Sequence, residues 1–294
     1  MNSMRLRQAM WLSSLATCFA VVGVGCGPHD STGVGNPGLT QEEQALVIDG
    51  NDSNAAGDTA SSLMSVPLLA IRKKTDVATA DSAAGFATLS TLAFTSGCAS
   101  ADRVANVVTY TFTSCTGPFG LVQTSGKLIA TFTVKAAGGA EIDITSDALT
   151  LNGVPATQTG HATITFTSDT AKQTVWTGSF EGRTPRGRPV HHEAAYTIGY
   201  DPATSCVSLD GSATSTVDLA LPKLEHGVTT TITGYVRCGK RTVCPQAGVV
   251  DVANLNPAAK VHDVHVQFVG GPQAQVTVTR TEGKKTFTVA LACD

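Results

Sequence analysis

Apolar and polar side chains alternate over short runs between residues 98 and 294. In the run 127–135 (KLIATFTVK), the apolar side chains from Leu128 to Val134 share one face, and the opposite face carries mostly threonine and lysine. The runs 161–168, 261–268 and 285–292 show the same period of two. This alternation predicts strands with one buried face and one solvated face, and threonine at the solvated positions suits an extended backbone.

Short turn signals separate these runs. Asn152-Gly153, Asp210-Gly211, Gly270-Gly271 and Glu282-Gly283 are examples. Connections of this length join antiparallel neighbours, because parallel strands need longer crossovers. We therefore predict an all-β fold, an antiparallel meander of about twelve strands that forms a barrel-like or two-sheet body.

The chain before this body has a different composition. Residues 26–60 are rich in Gly, Ser, Asn and Asp, which predicts an acidic flexible tether. Residues 61–97 predict a short helical segment that leads into the β domain at 98–294, with a helix over 77–92. A further helix is predicted over 59–70.

The N-terminus predicts export and lipidation. Residues 1–25 combine two arginines with an apolar stretch of signal-peptide length. Gly25 precedes Cys26, and lipoprotein processing needs a small residue there because the cysteine thiol accepts a diacylglycerol. We expect Cys26 to carry lipid, including palmitate, and Gly27 favours delivery to the outer membrane, on its periplasmic or surface face. The alternative is an ordinary secretory signal with an incidental cysteine.

Six of the eight cysteines remain once Cys18, in the signal, and Cys26 are set aside. An even number in an exported chain predicts three disulfides, and we expect each cysteine to pair with its nearest neighbour in sequence. The expected pairs are Cys98–Cys115, Cys206–Cys238 and Cys244–Cys293. The alternative is a zinc site, but Cys238 and Cys244 are too far apart for a zinc knuckle.

The charge of the chain limits its partners. Without residues 1–25, the chain has 18 Lys+Arg against 23 Asp+Glu, a net charge of 18 − 23 = −5. The tether holds six of these acids and no base, so the rest of the chain carries 18 − 17 = +1. This nearly neutral body excludes a strongly basic nucleic-acid-binding protein. The expected partners are the membrane, through the acyl anchor, and an unidentified envelope component or ligand.

One polar cluster could carry chemistry. Residues 181–193 (EGRTPRGRPVHHE) place arginines beside histidine and glutamate, and the strand at 261–268 adds a second acid–histidine pair. If the two strands were neighbours, these side chains could bind an anion or a metal, or shuttle a proton. The alternative is a solvated hairpin tip, with His192 buried on the apolar face. The candidate residues are Arg183, Arg186, Arg188, His191, Glu193, Asp263 and His265.

Other motifs point away from known chemistry. The chain holds no nucleophile elbow and no zinc-protease motif, and the glycines at 33, 35 and 38 lie in the tether, without the flanking strand and helix of a nucleotide site. We therefore predict no catalytic residue, no cofactor and no metal. Trp176 shares a face with Phe180 and is expected in the core, which disfavours polysaccharide binding on an aromatic platform.

Three segments together resemble a known family. They are residues 108–128, with Cys115-Thr116-Gly117-Pro118, residues 234–250, with Cys238 and Cys244-Pro245, and the terminal Cys293. They are similar to a family of exported lipoproteins that occurs in many copies in myxobacteria and has no assigned activity. The resemblance spans most of residues 95–294. It implies an envelope location and a cysteine-stapled β domain, and it supplies no catalytic residue.

We therefore expect a lipid-anchored lipoprotein of the cell envelope that acts as a non-enzymatic binding or structural module. One alternative is a carrier of an apolar or lipid ligand in a β cavity, which needs a lined internal pocket. Another is a metal-dependent or His/Glu-dependent hydrolase, which needs His191, Glu193, Asp263 and His265 to converge.

Overall fold

A computed structural model describes most of the chain from residue 97 onward. The described ranges are 97–116, 123–135, 138–184, 187–201, 203–218, 225–238, 244–256 and 259–290, together with nine residues between 56 and 71. The helix predicted over 77–92 and the lipidation predicted at Cys26 lie outside the described residues.

Fourteen strands make up the described body. They are β1 (Ala99–Val104), β2 (Val107–Thr116), β3 (Gln123–Val134), β4 (Ala140–Leu151), β5 (Val154–Pro155), β6 (Thr157–Phe166), β7 (Lys172–Arg183), β8 (Pro189–Asp201), β9 (Cys206–Asp218), β10 (Glu225–Cys238), β11 (Ala247–Asn254), β12 (Val261–Phe268), β13 (Gln273–Arg280) and β14 (Gly283–Ala290).

The strands form one antiparallel meander. Each pairs with its neighbours in sequence, except that β4 pairs with β6 and the two-residue β5 pairs with β4 alone. Tight turns enforce this order: Asn152 and Gly153 both adopt positive φ (51° and 76°), as the hairpin they were predicted to form requires. The turn predicted at Asp210-Gly211 is wrong, since both residues lie within β9 and pair with β8. The all-β meander is thus confirmed.

The sheet is open. Among the described strands, β1 pairs only with β2 and β14 only with β13, so the sheet does not close into a barrel. The described strands also form a single sheet, so the expectation of two packed sheets is not met either. Alternation requires only that the apolar face be covered, and a helix can cover it as well as a second sheet.

A helix formed by residues that precede β1 packs on the apolar face of the sheet. The described helical residues lie between 56 and 68, and Ala60, Leu63 and Met64 are buried in one cluster with side chains of β2–β9. Lys172 Nζ donates a hydrogen bond of 2.5 Å to the carbonyl oxygen of Ile71, just beyond the helix. The helical residues agree with the prediction over 59–70. The helical residues Ala56, Thr59 and Ala60, however, lie in the stretch 26–60 that was predicted to be a flexible tether.

The core continues along the sheet in two clusters. The first contains the helix and Trp176, which is 2% exposed and stacks on Tyr196 with ring centroids 5.4 Å apart. The second lies over β9–β14, where Tyr235 and Phe268 meet edge to face at 5.6 Å. The predicted place of Trp176 in the core is confirmed. In the described part of the chain, no helix is both long and apolar enough to span a membrane.

Two predicted disulfides join neighbouring strands. Cys98–Cys115 ties the start of β1 to β2, and Cys206–Cys238 joins residues directly opposite each other on β9 and β10. Cys244 is also disulfide-bonded. Its predicted partner, Cys293, lies outside the described residues. Antiparallel pairing brings such cysteines within reach of each other, with Cα–Cα distances of 5.2 and 3.9 Å.

Candidate binding surface on the polar face of the sheet

The polar face of the sheet carries rows of small hydroxyl side chains. The register aligns Thr159, Ser179, Glu193 and Thr214 across β6–β9, and Thr229 continues the row on β10. Neighbours within the row hydrogen-bond: Thr159 Oγ1 and Ser179 Oγ are 2.7 Å apart, and Thr214 Oγ1 and Thr229 Oγ1 are 3.3 Å apart. These bonds hold the hydroxyls in a regular array.

A shallow depression of about 620 Å³ lies on this face across β6–β9. Two adjacent register rows and the small residues between them form it, and only His161 and Glu193 have longer side chains. Its lining residues are Thr159, Gly160, His161, Thr177, Gly178, Ser179, Glu193, Ala194, Ala195, Ser212, Ala213 and Thr214.

Glycines in the floor are required by close packing. A Cβ on Gly178 would lie 2.7 Å from the carbonyl oxygen of Thr159, and a Cβ on Gly160 would lie 2.6 Å from Met64 Sδ of the helix. Gly160 and Gly178 are directly opposite each other on β6 and β7. Both glycines thus serve the apolar face, where Met64 and Trp176 pack. The polar face above them is low because its own side chains, such as Ser179 and Ala195, are short.

Charged groups at the rim are held by cross-strand contacts. His191 Nδ1 is 3.2 Å from Glu181 Oε1, and His191 Nε2 is 3.3 Å from Glu193 Oε1. On the other side of the depression, His161 Nδ1 is 2.7 Å from Asp143 Oδ1. The imidazoles thus orient carboxylates on both sides of the hydroxyl array.

The predicted polar cluster is only partly assembled. His191 and Glu193 share the polar face, as expected from alternation. Arg183 Nη1 instead donates to the carbonyl oxygen of Gly187 within its own hairpin, at 2.6 Å, and Arg188 donates its backbone N–H to Thr184 Oγ1 at 3.3 Å. Arg186 lies outside the described residues.

Asp263 and His265 are remote from that group. They lie on β12, and β9, β10 and β11 separate this strand from β8. Four strand spacings amount to about 19 Å. His265 Nδ1 instead contacts Asp251 Oδ1 at 2.6 Å. The hypothesis that the two groups form one site is therefore wrong, and no group of three or more potential metal ligands occurs among the described residues.

His192 faces the core, as alternation predicts. Its ring is 2% exposed, and Nδ1 lies 2.7 Å from Ser215 Oγ, whereas Nε2 has no hydrogen-bond partner in the described part of the chain. Burial, followed by the charge of His191, lowers the pKa of His192 to about 4. The ring is therefore neutral near pH 7.

Sequence reasoning missed the depression and the contribution of His161. Neither Thr177 nor Ser212 belongs to a motif, and each looks like an ordinary solvated strand position. The sequence signal is the coincidence of short side chains at polar-face positions of three successive strands: Thr177, Ala195 and Ser212. Recognising it requires the register, because these residues are 17–18 positions apart along the chain.

No protein-family model matches the chain, and no curated protein and no solved structure matches it either.

Proposed function

We propose that the protein is an exported, lipid-anchored module of the cell envelope that binds an envelope component through the depression on the polar face of its sheet. The observation that carries the proposal is this depression: an open, hydroxyl-lined surface across four strands, with oriented carboxylates at its rim. Open, polar surfaces of this kind suit contact with a macromolecule better than enclosure of a small apolar ligand.

Export is supported by the cysteines. Disulfides persist in oxidising compartments, and Cys98–Cys115 and Cys206–Cys238 are both formed. The lipid anchor is supported by the sequence around Cys26. The similarity to myxobacterial lipoproteins is part of the same proposal.

The anchor is tested by intact mass. Protein from the membranes of its native host is expected to have the mass of residues 26–294 plus lipid. It should gain six alkyl groups only when reduction precedes alkylation. An unlipidated chain, or one whose thiols react without reduction, would overturn the proposed location.

The binding surface is tested by filling it. Ala195→Tyr places a ring in the depression, and Thr277→Tyr places the same ring in the same register row on β13. The purified variants are mixed with envelope fragments of the native host and sedimented. We expect Ala195→Tyr to lower the bound fraction severalfold and Thr277→Tyr to match the wild type. Equal binding by all three proteins would refute the proposal that the depression is the binding surface.

A further inference from the structure

The charged side chains around the depression are mostly acidic. The lining includes the Glu193 carboxylate and no lysine or arginine. Glu181 and Asp143 flank it and are linked to it through His191 and His161. The side chains of Glu193, Glu181 and Asp143 are 68%, 65% and 63% exposed, so their charges face an approaching partner. A negative rim around a neutral floor attracts cations.

The floor suits long cationic side chains. The methyl groups of Thr159, Thr177 and Thr214 and the side chain of Ala195 provide short apolar contacts between the hydroxyls. Lysine and arginine carry aliphatic stems that pack on such surfaces while their charged ends stay hydrated. A guanidinium can also bind a carboxylate with two parallel hydrogen bonds. The amine of an amino sugar has no comparable stem.

The spacing of the carboxylates favours an extended partner. Glu193 on β8 and Asp143 on β4 are three strand spacings and one register row apart, a separation of about 16 Å. An extended peptide covers such a distance in about five residues. Several basic side chains of one segment can therefore reach the rim at once.

We infer that the depression docks an extended basic segment of an envelope protein, with arginine or lysine paired to Glu193; this inference rests on the proposed function. Since the charges are exposed, each pair contributes little by itself, and the contact depends on several pairs and on ionic strength.

The test uses the lipoprotein purified in neutral detergent and a fluorescent ten-residue peptide of alternating arginine and serine. Binding is followed by anisotropy. We expect the peptide to bind, with an affinity about tenfold weaker when salt is raised from about 0.05 to about 0.5 M. Glu193→Gln should weaken binding about threefold, and Asp143→Asn should act in the same direction.

Asp263→Asn is the matched control. Asp263 lies in the same register row as Glu193 but on β12, outside the depression, so its removal should leave the affinity unchanged. Absence of peptide binding, or equal effects of Glu193→Gln and Asp263→Asn, would overturn the inference. The thermal midpoints of the variants check that the fold is intact.

A glucosamine hexamer, used as a second ligand, separates this inference from the proposed function. If the hexamer binds in a Glu193-dependent way and the arginine peptide does not, the inferred class of ligand is wrong, but the depression is still a binding surface. If envelope fragments bind Ala195→Tyr as well as they bind wild type, the proposed function fails, whatever the peptides do.

Discussion

Met64 of the helix lies directly over Gly160 of β6, so that a Cβ on this glycine would come within 2.6 Å of Met64 Sδ. Across the strand pair, Gly178 is equally confined, but by the backbone carbonyl of Thr159 at 2.7 Å. The two glycines thus meet different obstacles. One is the end of a flexible side chain, which can move, and the other is part of the β ladder, which cannot move without breaking hydrogen bonds.

We predict that Gly178→Ala destabilises the protein more than Gly160→Ala. Overpacking costs about 1–3 kcal/mol, and the flexibility of methionine should keep Gly160→Ala near the lower end. The measurement is the denaturant midpoint of each variant. In a Met64→Ala background, Gly160→Ala should become nearly neutral, whereas Gly178→Ala should keep its full cost. The opposite order would contradict the packing described for the helix.

Buried His192 predicts a dependence of stability on pH. Its pKa is lowered to about 4 in the folded protein, against about 6.5 in the unfolded chain. The unfolded state therefore binds the proton first as the pH falls, and this group removes stability below about pH 6.5. Above that pH it has no effect, and at about pH 4 the loss should reach about 3 kcal/mol.

The measurement is the unfolding free energy of wild type and His192→Gln between about pH 4 and pH 8. Other groups titrate in both proteins, so the difference between the two curves reports His192. We expect the curves to run parallel above pH 6.5 and the wild type to fall more steeply below it. Parallel curves over the whole range would show that the ring is not held neutral.

The two disulfides are expected to act on different parts of the sheet. Cys98–Cys115 closes 17 residues and holds the outermost described strand, whereas Cys206–Cys238 closes 32 residues between β9 and β10. Chain entropy alone assigns about 3 and about 4 kcal/mol to these loops. Replacing Cys206 and Cys238 by alanine should therefore lower global stability.

Replacing Cys98 and Cys115 by alanine should act locally. β1 pairs only with β2 among the described strands, so its amides should exchange hydrogen much faster than those of β7. Hydrogen exchange followed by mass spectrometry distinguishes the two cases. Uniform acceleration across the sheet in the Cys98/Cys115 variant would refute a local role.

His191 and His265 should behave as independent residues. Each contacts carboxylates of its own neighbourhood, and three strands separate β8 from β12. Each exposed pair is worth about 0–1 kcal/mol. The effects of His191→Ala and His265→Ala on unfolding free energy should add within about 0.5 kcal/mol in the double variant. A larger coupling free energy between the two substitutions would indicate that His191 and His265 share one site, contrary to the order of the strands.

Part of the polar cluster could be predicted because it depends on one strand. Alternation placed His191 and Glu193 on the polar face and His192 in the core, and the structure agrees. Alternation could not show whether Glu193 and Asp263 lie in one site. That depends on how many strands separate β8 from β12, and alternation carries no information on the order of strands in the sheet.

The sequence by itself determined the elements. The period of two, the turn dipeptides and the cysteine spacing are local properties, and local backbone physics translates most of them into hairpins and disulfides between adjacent strands. Asp210-Gly211 is an exception, because it lies within β9 and not at a turn. Only the tertiary structure decided that the sheet stays open, that a helix between residues 56 and 68 packs on the apolar face of β2–β9, and that short polar-face side chains of four strands align into a depression. These features arise from register and packing between residues far apart in the chain, where many arrangements satisfy the same alternation.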